Sequence, residues 1–104
     1  MRVCAQEAFA PVVVVIPYGE LDEGIGLANR SPYGLNAAIF TQRIGAALQA
    51  ARGLHAGAVL VNESPTYRAD QMPYGGVGES GNTREGPRYA VREMTQDKLV
   101  IIQG

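Results

Sequence analysis

Three short runs of neighbouring apolar residues recur along the chain: "VVVVI" at 12–16, "LNAAIFT" at 35–41 and "AVLVN" at 58–62. None of them alternates polar with apolar, so each predicts a short strand buried on both faces. The segments between them have a different period. In "ELDEGIGLANRSPYG", Leu21, Ile25 and Ala28 fall at helical spacing, and Pro32 with Gly34 closes the segment. In "QRIGAALQAARGLHAG", the residues Ile44, Ala47, Leu48, Ala51 and Leu54 form one stripe, and Gly57 sits where a C-terminal glycine stop belongs. Strand, helix, strand, helix, strand predicts parallel strands joined by right-handed crossovers.

The pattern breaks down over 63–81, which is polar, aperiodic and rich in glycine. A loop of that length in a small domain usually serves function. Asn82 with Glu85 then resembles a capping box, and Pro87 suits a first helical turn, so a last helix is expected to run to about Met94. The closing "KLVIIQG" predicts a strand that would leave a sticky edge unless another chain segment covers it. The expected fold is therefore α/β: a short, mostly parallel three-stranded βαβαβ core. A long glycine-rich loop, a C-terminal helix and a terminal strand of oligomerisation type complete it.

Composition narrows the chemistry. The chain has 104 residues, 46% of them hydrophobic, and a formal net charge of −1. Neither a basic run nor a long apolar run is present, which argues against nucleic acid and membrane as partners. One cysteine, Cys4, excludes a disulfide framework and a cysteine zinc site, and points to a reducing, cytoplasmic setting. One histidine, His55, makes a metal site or a histidine-based triad hard to assemble, so no metal is expected. Its place near a helix C-terminus suits a residue favoured there by the dipole.

"GVGESG" at 76–81 fits the dinucleotide-binding pattern G-x-G-x-x-G. The preceding "DQMPYG" is polar and broken by proline, however, and a true fingerprint follows a buried strand. Four segments, in order, instead resemble the aldehyde dehydrogenase family. They are "QEAFAPVVVV", "LANRSPYGLNAAIFT", "AGAVLVN" and "PYGGVGESGNTREG". The resemblance covers essentially the whole chain. It implies that the glycine loop belongs to a substrate pocket. It also implies that residues 1–96 are the C-terminal portion of a catalytic domain, and 97–104 the terminal oligomerisation strand.

In that family the dinucleotide domain, the nucleophilic cysteine and the glutamate base lie upstream of the first matched segment. The resemblance thus implies a fragment of an NAD- or NADP-dependent enzyme that oxidises an aldehyde to an acid through a cysteine thioester. By itself such a fragment would bind no cofactor and show no activity. A non-catalytic, self-associating module or a degenerate remnant is the alternative. The implied partners are a second copy, through the strand Lys98–Gln103, or an upstream dehydrogenase half, with a small aldehyde as substrate.

The resemblance also suggests roles residue by residue, and none of them is catalytic. Cys4 reads as an inert thiol, because the family nucleophile lies far upstream. Glu7 matches the glutamate that accepts the nicotinamide ribose hydroxyls, and Phe9 the aromatic beside the nicotinamide; the alternative is a solvated glutamate beside a core phenylalanine. Ala10 replaces the usual glycine and would be strained if that position needs φ > 0. Asn62, Tyr74 and Gly75 match the wall of the substrate tunnel, with Gly76 helping the backbone to turn. Gly78 stands where the family has lysine. Arg68 offers a planar fork to an anionic or hydroxylated aldehyde, as in the lactaldehyde, non-phosphorylating glyceraldehyde-3-phosphate and phosphonoacetaldehyde branch. The alternative for Arg68 is an ion pair with Asp70 or Glu63. Arg84, Glu85, Arg88, Arg92 and Glu93 read as a solvated helix face.

Overall fold

The structure is a computed structural model that describes residues 6–104. The centre of the fold is one β-α-β crossover. Helix α1 spans Leu21–Ala28, and strands β1 and β2 span Tyr33–Gly34 and Asn36–Ile39. Helix α2 (Ile44–Gly53) then leads to β3 (Ala58–Val61), β4 (Val77–Gly78) and helix α3 (Pro87–Glu93). Strands β2 and β3 pair in parallel, from Asn36 opposite Ala58 to Ile39 opposite Val61. A second, two-stranded sheet pairs β1 with β4 antiparallel and so draws the glycine segment onto Tyr33 and Gly34.

The helices form where the sequence placed them, with shifted ends. Helix α1 starts after an extended Glu20 and carries Asp22 and Glu23 in its first turn, where the helix dipole favours them. The Glu23 carboxylate reaches back to the Gly19 N–H at 2.9 Å. Gly24 is useful here: a Cβ would lie 3.0 Å from the Tyr18 ring. Helix α2 ends at Gly53, four residues before the expected stop at Gly57. Leu54 is already extended, and the side chain of Asn29 bridges the end. Asn29 Nδ2 donates to the Gly53 carbonyl at 2.7 Å, and Asn29 Oδ1 accepts the His55 N–H at 2.9 Å. His55 therefore lies beyond the helix. Gly57 serves close approach instead, because a Cβ there would overlap the Gly75 carbonyl oxygen.

Two expected strands are absent. "VVVVI" forms no strand and pairs with nothing among the described residues, and Val13 and Val15 are 86% and 85% exposed. "KLVIIQG" is likewise unpaired, with Ile102 89% exposed. The expected three-stranded core is thus two-stranded, because no described strand lies beside either segment.

The consequence is a chain without a full core. Only Ala47 and Ala50 are buried among the apolar residues described. The accessible surface is 8749 Å2, where a compact protein of this mass exposes about 5,600 Å2. The radius of gyration is 18.3 Å, against about 13 Å for a compact chain of this length.

Candidate functional site

The expected tunnel residues lie on the loop between β3 and α3, and the fold brings most of them together. Asn62 closes β3 with φ at 58°, the one non-glycine residue with positive φ among those described. Asparagine tolerates that conformation better than most residues. Its amide clasps Thr41: Oδ1 accepts the Thr41 N–H at 2.7 Å and Nδ2 donates to the Thr41 carbonyl at 2.9 Å. Asn62 therefore ties together the exits of the two parallel strands. Ala10 has no positive φ, so the strain expected there is not present.

Farther along, Tyr74 and Glu85 face each other across an antiparallel bridge. Tyr74 N–H donates to the Glu85 carbonyl at 3.1 Å and Glu85 N–H to the Tyr74 carbonyl at 2.6 Å. This extended pairing overrides the expected capping box. Helix α3 begins two residues later, at Pro87, with Gly86 as its cap at φ 113°. The Glu85 side chain, freed from capping, meets Arg68: Nη2 lies 2.9 Å from Oε2. Arg68 also lies over the Tyr74 ring, 4.6 Å from its centroid. The ion pair that stood as the alternative for Arg68 thus forms, with Glu85 as the partner and neither Asp70 nor Glu63.

The glycines earn their place by proximity. A Cβ on Gly75 would overlap the Thr83 carbonyl oxygen, and one on Gly76 would overlap the Ser80 side chain. Arg84 pins this turn from inside, donating from Nη1 to the Gly76 and Thr83 carbonyls at 2.8 Å each. Its guanidinium is part of the loop and not of a solvated helix face. Gly78 has φ at 60° and a Cβ there would strike the Pro32 carbonyl, so the glycine suits the local backbone. Ser80 Oγ accepts the Gly34 N–H at 3.0 Å and locks the loop to β1.

Glu7 and Phe9 are placed apart from this cluster. Glu7 is exposed at the edge of an open cleft of about 790 Å3, whose lining includes Ile16, Asn29, Ser31, His55 and Ser80. None of Asn62, Arg68, Tyr74 and Gly75 lines it. Phe9 is 97% exposed and packs on no core. Cys4 lies outside the described residues. Among the described residues there is no cluster of metal-ligating side chains, and no helix is long and apolar enough to cross a membrane.

Sequence reasoning missed Glu85, Arg84, Ser80 and Thr41 as members of the site. The first three stand inside the quoted "PYGGVGESGNTREG" segment. That position in a recognisable motif was the available signal, and assigning Arg84 and Glu85 to a helix face hid it for those two.

The comparisons with known proteins agree with this architecture. Residues 1–100 match the aldehyde dehydrogenase family. The chain is 47% identical over 102 residues to 3-sulfolactaldehyde dehydrogenase of Priestia aryabhattai, covering 98% of this chain and 21% of that protein. It is 47% identical over 96 residues to lactaldehyde dehydrogenase of Methanococcus aeolicus, covering 92% and 21%. Among solved structures, the glyceraldehyde-3-phosphate dehydrogenase GapN of Methanocaldococcus jannaschii, complexed with NADP, superposes with a TM-score of 0.83. It is 47% identical and is matched over 88% of this chain and 20% of its own. The chain belongs to the aldehyde dehydrogenase family, and spans about a fifth of the length of the curated relatives it matches.

Proposed function

We propose that these residues form the substrate-side wall of an NAD(P)-dependent dehydrogenase acting on a small hydroxylated or anionic aldehyde. The observation that carries the reading is the Arg68–Tyr74–Glu85 cluster. It sets a guanidinium on an aromatic face, beside a glycine turn that lets backbone approach closely. Asn62 holds the same loop to the strand ends. In the family reaction an aldehyde is bound covalently by a cysteine and hydride passes to the nicotinamide. Glu7 and Phe9 would then face the cofactor, Glu7 accepting ribose hydroxyls. Nucleophile, base and dinucleotide domain are supplied by upstream sequence, so the 104 residues alone are expected to turn over no aldehyde.

By the same reading, residues 1–96 are catalytic-domain sequence and Lys98–Gln103 pair with another chain. The exposed Leu99, Val100, Ile101 and Ile102 support this second point. The non-catalytic, self-associating reading draws on the same exposed segment, but it leaves the Arg68 cluster without a purpose.

A chimera tests the proposal. These residues would replace the matching segment of the Methanococcus aeolicus lactaldehyde dehydrogenase, and formation of reduced nicotinamide would be followed with lactaldehyde. Turnover is expected, with Arg68→Met raising KM about tenfold or more through loss of charge-assisted hydrogen bonds. A chimera that folds like its parent yet oxidises nothing overturns the reading.

A further inference from the structure

Arg68 does not reach its site as a free cation. Its Nη2 is held 2.9 Å from Glu85 Oε2, and this is the one ion pair between side chains among the described residues. One face of the guanidinium is turned to the Tyr74 ring at 4.6 Å. Tyr74 and Glu85 are rung partners of one backbone bridge, so the chain fixes both neighbours of Arg68 together. The next cation, Arg84, is spent on the loop, with Nη1 on two carbonyls and its backbone N–H 3.4 Å from Glu93 Oε1. The cluster therefore holds two arginines and two glutamates, and the Arg68 guanidinium already carries a carboxylate partner.

A guanidinium has five N–H donors, and a single contact to Glu85 leaves donors over. Those donors still bind a hydroxyl oxygen. An anionic tail, in contrast, must approach a carboxylate as well as the guanidinium, and like charges placed together are unfavourable. Resting on the proposed function above, we infer that Glu85 is a specificity-determining positioning residue. It orients Arg68 as a neutralised hydrogen-bond donor and biases the site toward uncharged hydroxyaldehydes over aldehydes bearing phosphate or sulfonate.

Two measurements test this. The first titrates inorganic sulfate into the 104-residue chain and follows the arginine side-chain N–H signals by NMR. Removing an exposed carboxylate is expected to tighten sulfate binding at Arg68 about three- to fivefold in Glu85→Gln. Glu85→Asp should restore the weak wild-type response, and Arg68→Met should abolish it in either background. Wild type binding sulfate as tightly as Glu85→Gln overturns the inference. The second uses the chimera with glyceraldehyde-3-phosphate and with lactaldehyde. Glu85→Gln should raise the ratio of kcat/KM for the phosphate substrate over the neutral one about tenfold, chiefly through a lower KM for the phosphate substrate. An equal loss on both substrates would mark Glu85 as merely structural and overturn the inference. An inactive chimera counts against the proposed function alone, because the sulfate titration still reads the pair.

Discussion

Compare "VVVVI" at 12–16 with "AVLV" at 58–61. Both are short runs of strongly strand-forming residues, yet only the second is a strand. Residues 58–61 pair because helix α2 returns them beside Asn36–Ile39. Residues 12–16 form no strand, and no described strand lies beside them. β-Propensity describes how well a side chain fits a pleated, half-buried surface, and it cannot supply that surface. The same holds for the terminal "LVIIQ". The middle of the chain brings its own strand partner, and its two ends have none among the described residues.

That contrast orders the expected effects of substitution. The largest belongs to the middle: Gly57→Ala drives a methyl into the Gly75 carbonyl. It should cost about 3 kcal/mol or more, read as a lower urea midpoint, since backbone must move to relieve the overlap. A change below about 0.5 kcal/mol would mean that the loop does not sit on β3 as described.

Asn62→Ala comes next. It removes both bonds to Thr41 and puts a Cβ residue with no compensating amide at φ 58°. About 2 kcal/mol is expected. Asn62→Gly should recover part of that, by accepting the backbone angle. Equal losses for the two would assign the whole effect to the hydrogen bonds.

Arg84→Met should cost about 1 kcal/mol by leaving the Gly76 and Thr83 carbonyls without their donor. Faster hydrogen exchange is expected in the glycine loop and not in α2. Uniform loss of protection would show instead that Arg84 supports the whole fold.

The smallest effect on stability belongs to the ends. Val100→Lys with Ile102→Lys should shift the unfolding midpoint by less than about 0.5 kcal/mol, because both side chains are exposed. The same pair should lower the solution mass measured by light scattering over a concentration series. A mass that stays constant would remove the case for assembly through this segment.

Much of the middle was legible from spacing alone. The stripe from Ile44 to Leu54 predicted α2, and the runs around Ala37 and Leu60 predicted the two strands that it joins. The ends of elements were harder to read. Gly57 looks like a helix stop, yet Asn29 ends the helix from 24 residues away, through its bond to Gly53. Asn82 and Glu85 look like a capping box, yet Glu85 is extended by its bridge to Tyr74. In both cases a long-range hydrogen bond displaced a local motif, and local spacing carries no information about such partners.

The candidate site divides the same way. Arg68, Tyr74, Asn62 and Gly75 could be named from motif resemblance, because each stands at a fixed offset in a recognisable segment. Glu85 as the partner of Arg68 could not. Asp70 and Glu63 are nearer in sequence, and only the antiparallel return of the chain carries Glu85 back to the guanidinium.

By itself the sequence determined the crossover unit, through periodicity, and the family and the residue types of the loop, through the resemblance of four segments in order to a known family. Tertiary structure alone decided which apolar runs become strands, which carboxylate neutralises Arg68 and why the glycines are glycines. Each of those depends on what a distant part of the chain places within a few ångströms, and pairing, charge and steric exclusion all act at that range.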